Sequence, residues 1–296
     1  MANFRTDSRI VMTLDANSEV LVFGAMQSGE FIVEPITLEA HPHNLELCLQ
    51  NMVKGFKMIR EQLDRQPAAI SFAFPGPADY PNGIIYGYLL NFPSFRDGVA
   101  LGPYLRKKFG IPVYINNDGD LFAYGEALGG ALPEINERLE MAGSTKRYRN
   151  MLGYVFGDGF GVGMIVNGML NRGDNSCVET CYFPHSKRPD IIVEEGVSIR
   201  AVKRVYKELS GDERPLEPKD IFDIAEGRMD GDREAAVRSF AEMGELTGEV
   251  MLPAANITDG LIVIGGGMTG AAKYIKPSIM EVMRSRIKTL DGKELG

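Results

Sequence analysis

Residues 151–166 read MLGYVFGDGFGVGMIV, and this stretch decides the fold. Two apolar runs flank a glycine-rich turn at 157–161, which predicts a β-hairpin. Residues 10–25, IVMTLDANSEVLVFGA, repeat the arrangement with a tight turn at 16–19. A strand-turn-strand unit therefore opens each half of the chain, and this repetition predicts a duplicated architecture.

Strands and helices alternate along the rest of the chain. Apolar residues at helical spacing predict a helix from Leu45 to Leu63, and short apolar runs predict strands at 69–74 and 261–264. The polar stretch 133–150 is expected to be a surface excursion. This alternation indicates an α/β fold with mixed sheets. A length of 296 residues favours two domains, which we place at 1–120 and 121–296.

Composition excludes several classes of protein. The formal net charge is −8 and there is no Lys/Arg-rich run, which argues against a nucleic-acid partner. No apolar stretch reaches the roughly 18 residues of a membrane span, and the polar N-terminus does not resemble a signal peptide. We therefore expect a cytoplasmic protein with no membrane partner.

The three cysteines are odd in number and lack CxxC spacing, which is typical of a reducing compartment. Cys177 and Cys181, followed by His185, could be read as metal ligands. A structural zinc normally needs four ligands, so we expect no zinc site and interpret both cysteines as ordinary buried thiols.

Three turns at strand ends are candidates for phosphate contacts: 16–19, 157–163 and 265–267. Glycine allows backbone N–H groups to converge on an anion, although most such turns bind nothing. Asp118, preceded by Asn117, follows a predicted strand and is the candidate catalytic base. The alternative is that Asp118 only caps the helix that begins near Asp120.

The ordered motifs of this chain resemble the ROK family of bacterial sugar kinases, and they are most similar to glucokinase-like members from Bacteroidetes. The matching segments are Leu14-Asp15, Phe74-Pro75-Gly76-Pro77, Asn116-Asn117-Asp118, Gly157 to Gly163, Asn175 to Glu179, Glu194 with Ser198-Ile199-Arg200-Ala201, and Ile264-Gly265-Gly266-Gly267.

The resemblance implies an α/β, two-domain, actin-like (ribonuclease-H-like) fold with a cleft between the domains for ATP and a hexose. Asp118 would deprotonate the sugar 6-hydroxyl. Asp15 would organise Mg²⁺ with ATP. The implied sugar-binding residues are Gly76, Asn117, Glu179 and Glu194. The implied nucleotide-binding residues are Gly157, Gly159 and Gly161 at the phosphates and Gly265, Gly266 and Gly267 beside the adenosine. Relatives are commonly dimers, so a homodimer is an open expectation.

Two departures favour an alternative function. Asn17-Ser18-Glu19 stands where the family usually has Gly-Gly-Thr, and Asp158 stands where it usually has Thr. A carboxylate about 4 Å from a phosphate charge costs roughly 4 kcal/mol at an effective dielectric near 20. The alternative is therefore a catalytically impaired sugar-binding protein that no longer binds ATP well.

The ends of the chain carry two further expectations. The closing C-terminal elements of the family are expected to be absent after Gly296. A ROK-type repressor is disfavoured, because the first predicted strand begins near Ile10 and leaves no room for a DNA-binding domain before it.

Overall fold

A computed structural model describes residues 4–87, 89 and 91–295. The chain forms two compact units. The first comprises Met1–Leu121 and Arg172–Cys177, and the second comprises Phe122–Asn171 and Val178–Gly296. The division falls inside one helix, and a short segment from the second half of the sequence belongs to the first unit.

The strands of the first unit are β1 (Val11–Ala16), β2 (Val20–Gln27), β3 (Glu30–Phe31), β4 (Ile36–Glu39), β5 (Ala69–Ala73), β6 (Ala78–Asp79), β7 (Ile84–Ile85) and β8 (Val113–Asn116). Its main sheet is mixed, with strand order β3-β2-β1-β5-β8, and β4 also pairs with β2, whereas β6 and β7 form a separate pair. Its helices are α1 (Leu45–Glu61), α2 (Leu101–Phe109) and the start of α3 (Asp118–Gly129). Strands β1, β5 and β8 are parallel, whereas β2 is antiparallel to β1.

The predicted amphipathic helix forms the core of this unit. Asn44 caps α1 by accepting a hydrogen bond from the backbone N–H of Leu47. Four apolar side chains of α1 are fully buried, and the ring of Phe56 packs edge-on against Phe23 with centroids 5.1 Å apart. This packing fixes α1 against the sheet.

The second unit has a sheet of order β11-β10-β9-β14. Its strands are β9 (Met151–Phe156), β10 (Phe160–Val166), β11 (Met169–Asn171), β12 (Pro184–His185), β13 (Arg188–Ile192), β14 (Leu261–Gly265), β15 (Ile287–Lys288) and β16 (Glu294–Leu295). Its helices are α4 (Ala131–Met141), α5 (Ile199–Ser210), α6 (Pro218–Ala225), α7 (Arg233–Thr258) and α8 (Ala272–Met283).

The two sheets share one connectivity. In the first, β1 pairs antiparallel with β2 and parallel with β5. In the second, β9 pairs antiparallel with β10 and parallel with β14. The strand orders β3-β2-β1-β5 and β11-β10-β9-β14 therefore correspond. The two hairpins of the sequence are equivalent elements of this repeated motif.

The polar stretch at 133–150 was expected at the surface, and it is mostly exposed and partly helical, although no helix was predicted there. Helix α4 occupies Ala131–Met141, and Leu132 is its buried residue. A helix with so narrow an apolar face gives a weak periodic signal. Within the described part of the chain, no helix combines the length and apolar character that crossing a bilayer requires.

Candidate functional site

The carboxyl ends of β1, β5 and β8 lie at one edge of the first sheet. Leu14 pairs with Phe72, and Ala73 pairs with Asn116. This register brings Asp15 at the end of β1 to the same edge as the residues that follow β5 and β8. Open α/β sheets bind ligands at such an edge.

Asn117, rather than Asp118, caps helix α3. The side-chain Oδ1 of Asn117 accepts the backbone N–H groups of Gly119 at 2.7 Å and Asp120 at 3.4 Å. Asp118 is exposed in the first turn, and its Oδ1 accepts the adjacent N–H of Gly119 at 2.9 Å. The helix start therefore has its cap without Asp118, and the alternative reading of Asp118 as the cap is wrong.

Asp120, two residues further on, is a buried carboxyl group with 7% exposure. Burial raises its pKa to about 6, and the negative charge of Asp118 adds to the rise while Arg172 opposes it. The Arg172 guanidinium also donates to the side-chain oxygen of Asn116 at 2.8 Å. Arg172 thus fastens the segment 172–177 to the end of β8.

Gly76 lies in the turn after β5, where there is no room for a side chain. A Cβ at this position would lie 2.8 Å from the hydroxyl of Tyr80, which donates to the backbone oxygen of Phe74 at 2.9 Å. Phe74 is itself buried against Phe92 and Phe95. The close approach of the Tyr80 hydroxyl therefore explains the glycine at position 76.

The turn between β1 and β2 does not fit a phosphate group. The side-chain Oδ1 of Asn17 accepts the backbone N–H groups of Glu19 at 2.9 Å and Val20 at 2.8 Å. These are the donors that a phosphate would use, and they are already satisfied within the turn. The exposed carboxylate of Glu19 adds like-charge repulsion.

Asp15 fits the predicted Mg²⁺ role in its chemistry. It is an exposed carboxylate at a strand end, and Mg²⁺ is usually held by one or two carboxylates together with water and substrate phosphates. Across residues 4–87, 89 and 91–295, no group of three or more His, Cys, Asp or Glu side chains could hold a metal ion.

The turn between β9 and β10 offers a different environment. Gly157 and Gly159 carry no side chains, and a Cβ at Gly157 would meet nothing within 4 Å. The backbone N–H of Phe160 donates to Oε2 of Glu194 at 3.0 Å. The structure thus brings Glu194, expected at the sugar, against the turn expected at the phosphates. Asp158 is exposed, and Gly161 pairs with Val155 in the strand ladder.

The three glycines at the end of β14 and just after it differ from one another. A Cβ at Gly265 would lie 2.4 Å from the ring of Phe122, and one at Gly266 would lie 2.3 Å from the backbone oxygen of Phe156. Gly266 also has a φ of 92°, which side chains avoid. Packing therefore explains these two glycines, whereas Gly267 faces open space and has no such explanation.

The predicted sugar residue Glu179 is partly buried and accepts a hydrogen bond from the thiol of Cys181 at 3.8 Å. Cys181 is buried as expected, but Cys177 is exposed, so its assignment as a buried thiol is wrong. Cys177 is the last residue of the short segment that belongs to the first unit.

Sequence reasoning assigned no role to Asp120, Arg172 or Arg200. Arg200, in the first turn of α5, donates to the backbone oxygen of Asp158 at 2.6 Å and lies 3.5 Å from Oε1 of Glu194. The sequence pointed to Arg200 only through its place in the family motif Ser198-Ile199-Arg200-Ala201. The Arg200–Asp158 bond joins residues 42 positions apart and the Arg172–Asn116 bond joins residues 56 apart, which local patterns do not reveal.

Comparison with known proteins decides the family. The ROK family profile matches residues 21–293, nearly the whole chain. The chain belongs to the ROK family. Its fold is accordingly the actin-like α/β fold of ROK sugar kinases, in agreement with the repeated sheet motif.

Two solved structures place this ROK protein among its relatives. A glucokinase from Parabacteroides distasonis is 57% identical, with a TM-score of 0.88 over 96% of this chain and 79% of that one. A ROK family glucokinase from Streptomyces griseus, solved in complex with glucose and AMPPNP, is 17% identical, with a TM-score of 0.70 over 93% of this chain and 90% of that one.

Two curated relatives belong to different functional classes. The xylose repressor of Bacillus spizizenii is 29% identical over 47% of this chain and 33% of its own length. The glucokinase of Thermotoga maritima is 27% identical over 70% of this chain and 66% of its own length. The chain thus spans about a third of the repressor and about two thirds of the glucokinase.

Proposed function

We propose that this ROK protein transfers the γ-phosphoryl group of ATP to the 6-hydroxyl of a glucose-like hexose. Asp118 accepts the hydroxyl proton, the hydroxyl oxygen attacks the γ-phosphorus, and ADP leaves. The observation that carries the proposal is the exposed carboxylate of Asp118 at the carboxyl edge of the sheet, with the helix cap supplied by Asn117. The 57% identity to a glucokinase supports the substrate class.

The remaining predicted residues take supporting roles in this proposal. Gly76, Asn117, Glu179 and Glu194 hold the sugar hydroxyls. The turn at 157–161 binds phosphate, and 265–267 contacts the adenosine. Mg²⁺ on Asp15 would neutralise phosphate charge, which is the main chemical requirement of phosphoryl transfer. Positioning by hydrogen-bonding side chains supplies the rest.

The test is a coupled ADP-release assay over a panel of hexoses, with the parent protein and Asp118→Asn. We expect glucose-dependent ADP release and a 6-phosphate product. The variant should lose at least about 100-fold in kcat, the usual contribution of a general base, while its calorimetric glucose affinity changes only a few-fold. Asp64→Asn, an exposed aspartate elsewhere in the first unit, is the matched control and should retain full activity.

The proposal fails if no hexose stimulates ADP release, or if Asp118→Asn is as active as the parent. If Asp118→Asn keeps full activity, the protein is a kinase but Asp118 is not its general base.

A second candidate, a sugar-binding protein with impaired nucleotide binding, rests on one observation. Asn17 occupies the N–H groups of Glu19 and Val20, so these two donors of the β1–β2 turn are not free for phosphate. The candidate predicts calorimetric binding of glucose without binding of Mg-ATP. Micromolar affinity for Mg-ATP would refute it and leave the kinase as the better account.

A further inference from the structure

The guanidinium group of Arg200 bridges two regions of the second unit. Its Nη1 donates to the backbone oxygen of Asp158 at 2.6 Å, in the β9–β10 turn. Its Nη2 donates to Oε1 of Glu195 at 3.1 Å and lies 3.5 Å from Oε1 of Glu194. One planar group thus contacts the turn backbone and two carboxylates together.

Glu194 is held from its other side by the same turn. Its Oε2 accepts the N–H of Phe160 at 3.0 Å, so the two carboxylate oxygens have different partners. A Cβ on Gly159 would lie 2.8 Å from Oε2. The position of the Glu194 carboxylate therefore depends directly on the conformation of residues 158–160.

The start of α5 completes the connection. The N–H of Ile199 donates to the backbone oxygen of Gly157 at 2.9 Å, and the Ser198 side chain caps the helix through the N–H of Ala201. Each end of the turn is thus bonded to residues 194–200. The turn cannot shift toward a bound phosphate without moving Glu194 or breaking these bonds.

Stability alone does not account for Arg200. Its side chain is 44% exposed, and its ion pairs with Glu194 and Glu195 are correspondingly solvated. Exposed pairs of this kind contribute little to folding. A cation in the first turn of a helix also opposes the helix dipole. These costs indicate a positional role for Arg200.

We propose that Arg200 is a positioning residue that couples Glu194 to the β9–β10 turn, so that sugar and nucleotide phosphates bind cooperatively. The inference rests on the proposed function, because it takes Glu194 as a sugar ligand and the turn as a phosphate site. Phosphate bound at the turn fixes Glu194 for the sugar, and bound sugar fixes the turn for phosphate. The coupling is reciprocal.

The experiment measures D-glucose binding by calorimetry with and without Mg-AMPPNP. The ratio of the two dissociation constants is the coupling factor. We expect AMPPNP to tighten glucose binding at least about fivefold in the parent. In Arg200→Gln the factor should fall to about one, with the urea midpoint unchanged, and KM for glucose should rise more than kcat falls. Arg200→Lys keeps the charge but not the planar fork, and should restore part of the coupling.

Lys203→Gln is the matched control. Lys203 lies on the same helix and pairs with Glu217 at 2.5 Å, so its removal also costs one positive charge and one ion pair. It should keep the parent coupling factor. A loss of coupling equal to that of Arg200→Gln would show a general effect of charge and overturn the proposal.

The other outcomes separate this inference from the proposed function. A parent coupling factor of one overturns the inference even if the protein phosphorylates glucose. A coupling factor in Arg200→Gln equal to that of the parent also overturns the inference. Coupling that depends on Arg200 in a protein without ADP release supports the inference and refutes only the phosphoryl transfer. A parent that binds neither ligand refutes both.

Discussion

Asp120→Asn should stabilise the protein, and the gain should grow with pH. Burial raises the pKa of the Asp120 carboxyl group from 3.8 to about 6. The folded state therefore binds the proton more tightly than the unfolded state. Its stability falls as the pH rises from about 4 to about 6, where the group must ionise while buried. Asparagine has a similar shape and does not titrate, so the variant lacks this loss.

The magnitude follows from the two pKa values. A difference from 3.8 to about 6 corresponds to about 3 kcal/mol of unfolding free energy once the pH exceeds 6. Part of this loss of unfolding free energy has already occurred at pH 4, because the carboxyl group is then about half ionised in the unfolded state. The stability of Asp120→Asn relative to the parent should therefore rise by about 2 to 3 kcal/mol between pH 4 and pH 7.5. The attraction to Arg172 is included in the pKa of about 6.

Urea unfolding followed by far-ultraviolet circular dichroism at several pH values measures this difference, since the chain contains no tryptophan. Asp64→Asn, which removes an exposed carboxyl group from the same unit, is the control for the loss of one negative charge. A flat profile for Asp120→Asn, within about 0.5 kcal/mol, would show that burial does not perturb Asp120 and refute the reasoning.

Two further predictions concern glycine. Asn17→Gly removes the side chain that bonds the N–H groups of the β1–β2 turn. It should lower the Mg-ATP dissociation constant about tenfold, which is the worth of one hydrogen bond to a charged group, whereas the control Ser18→Gly should not change it. Equal effects of the two variants in calorimetry would contradict this prediction. Gly55→Ala places a Cβ 2.2 Å from the buried ring of Phe23 and should cost about 1 to 3 kcal/mol of unfolding free energy. Gly125→Ala, in α3 where nothing lies within 4 Å, should gain up to about 1 kcal/mol, and a loss at both positions in urea unfolding would refute the steric explanation.

The sheet strands and the long helices could be predicted because their signals are local. The apolar runs around residues 10–25 and 151–166 lie within β1, β2, β9 and β10, and the helical spacing after Leu45 lies within α1. Helix α4 escaped prediction because a mostly solvated helix lacks the apolar stripe on which such predictions depend. Apolar periodicity reports which residues of a helix are buried, so a segment without it can still be an exposed helix.

The site was less accessible to sequence reasoning, and each failure has its own cause. Aspartate caps helices well, so the spacing favoured Asp118 as the cap of α3, whereas the structure gives the cap to the adjacent Asn117. The hydrogen bond from Phe160 to Glu194 joins residues 34 positions apart. The family resemblance implied separate roles for the turn and for Glu194, whereas the fold brings the two into contact.

The two equivalent hairpins differ in their turns for one physical reason. Both connect antiparallel strands at the same place in the repeated sheet motif. In the first turn, Asn17 supplies a side-chain oxygen that takes the place of an external acceptor. In the second, Gly157 and Gly159 supply no side chain, and the acceptor for the Phe160 N–H comes from Glu194 on a distant segment. The first turn satisfies the N–H groups of Glu19 and Val20 from within, whereas the second depends on a predicted ligand residue outside the turn for the N–H of Phe160. Residue identity in the turn, rather than topology, therefore determines where each hairpin finds acceptors for its N–H groups.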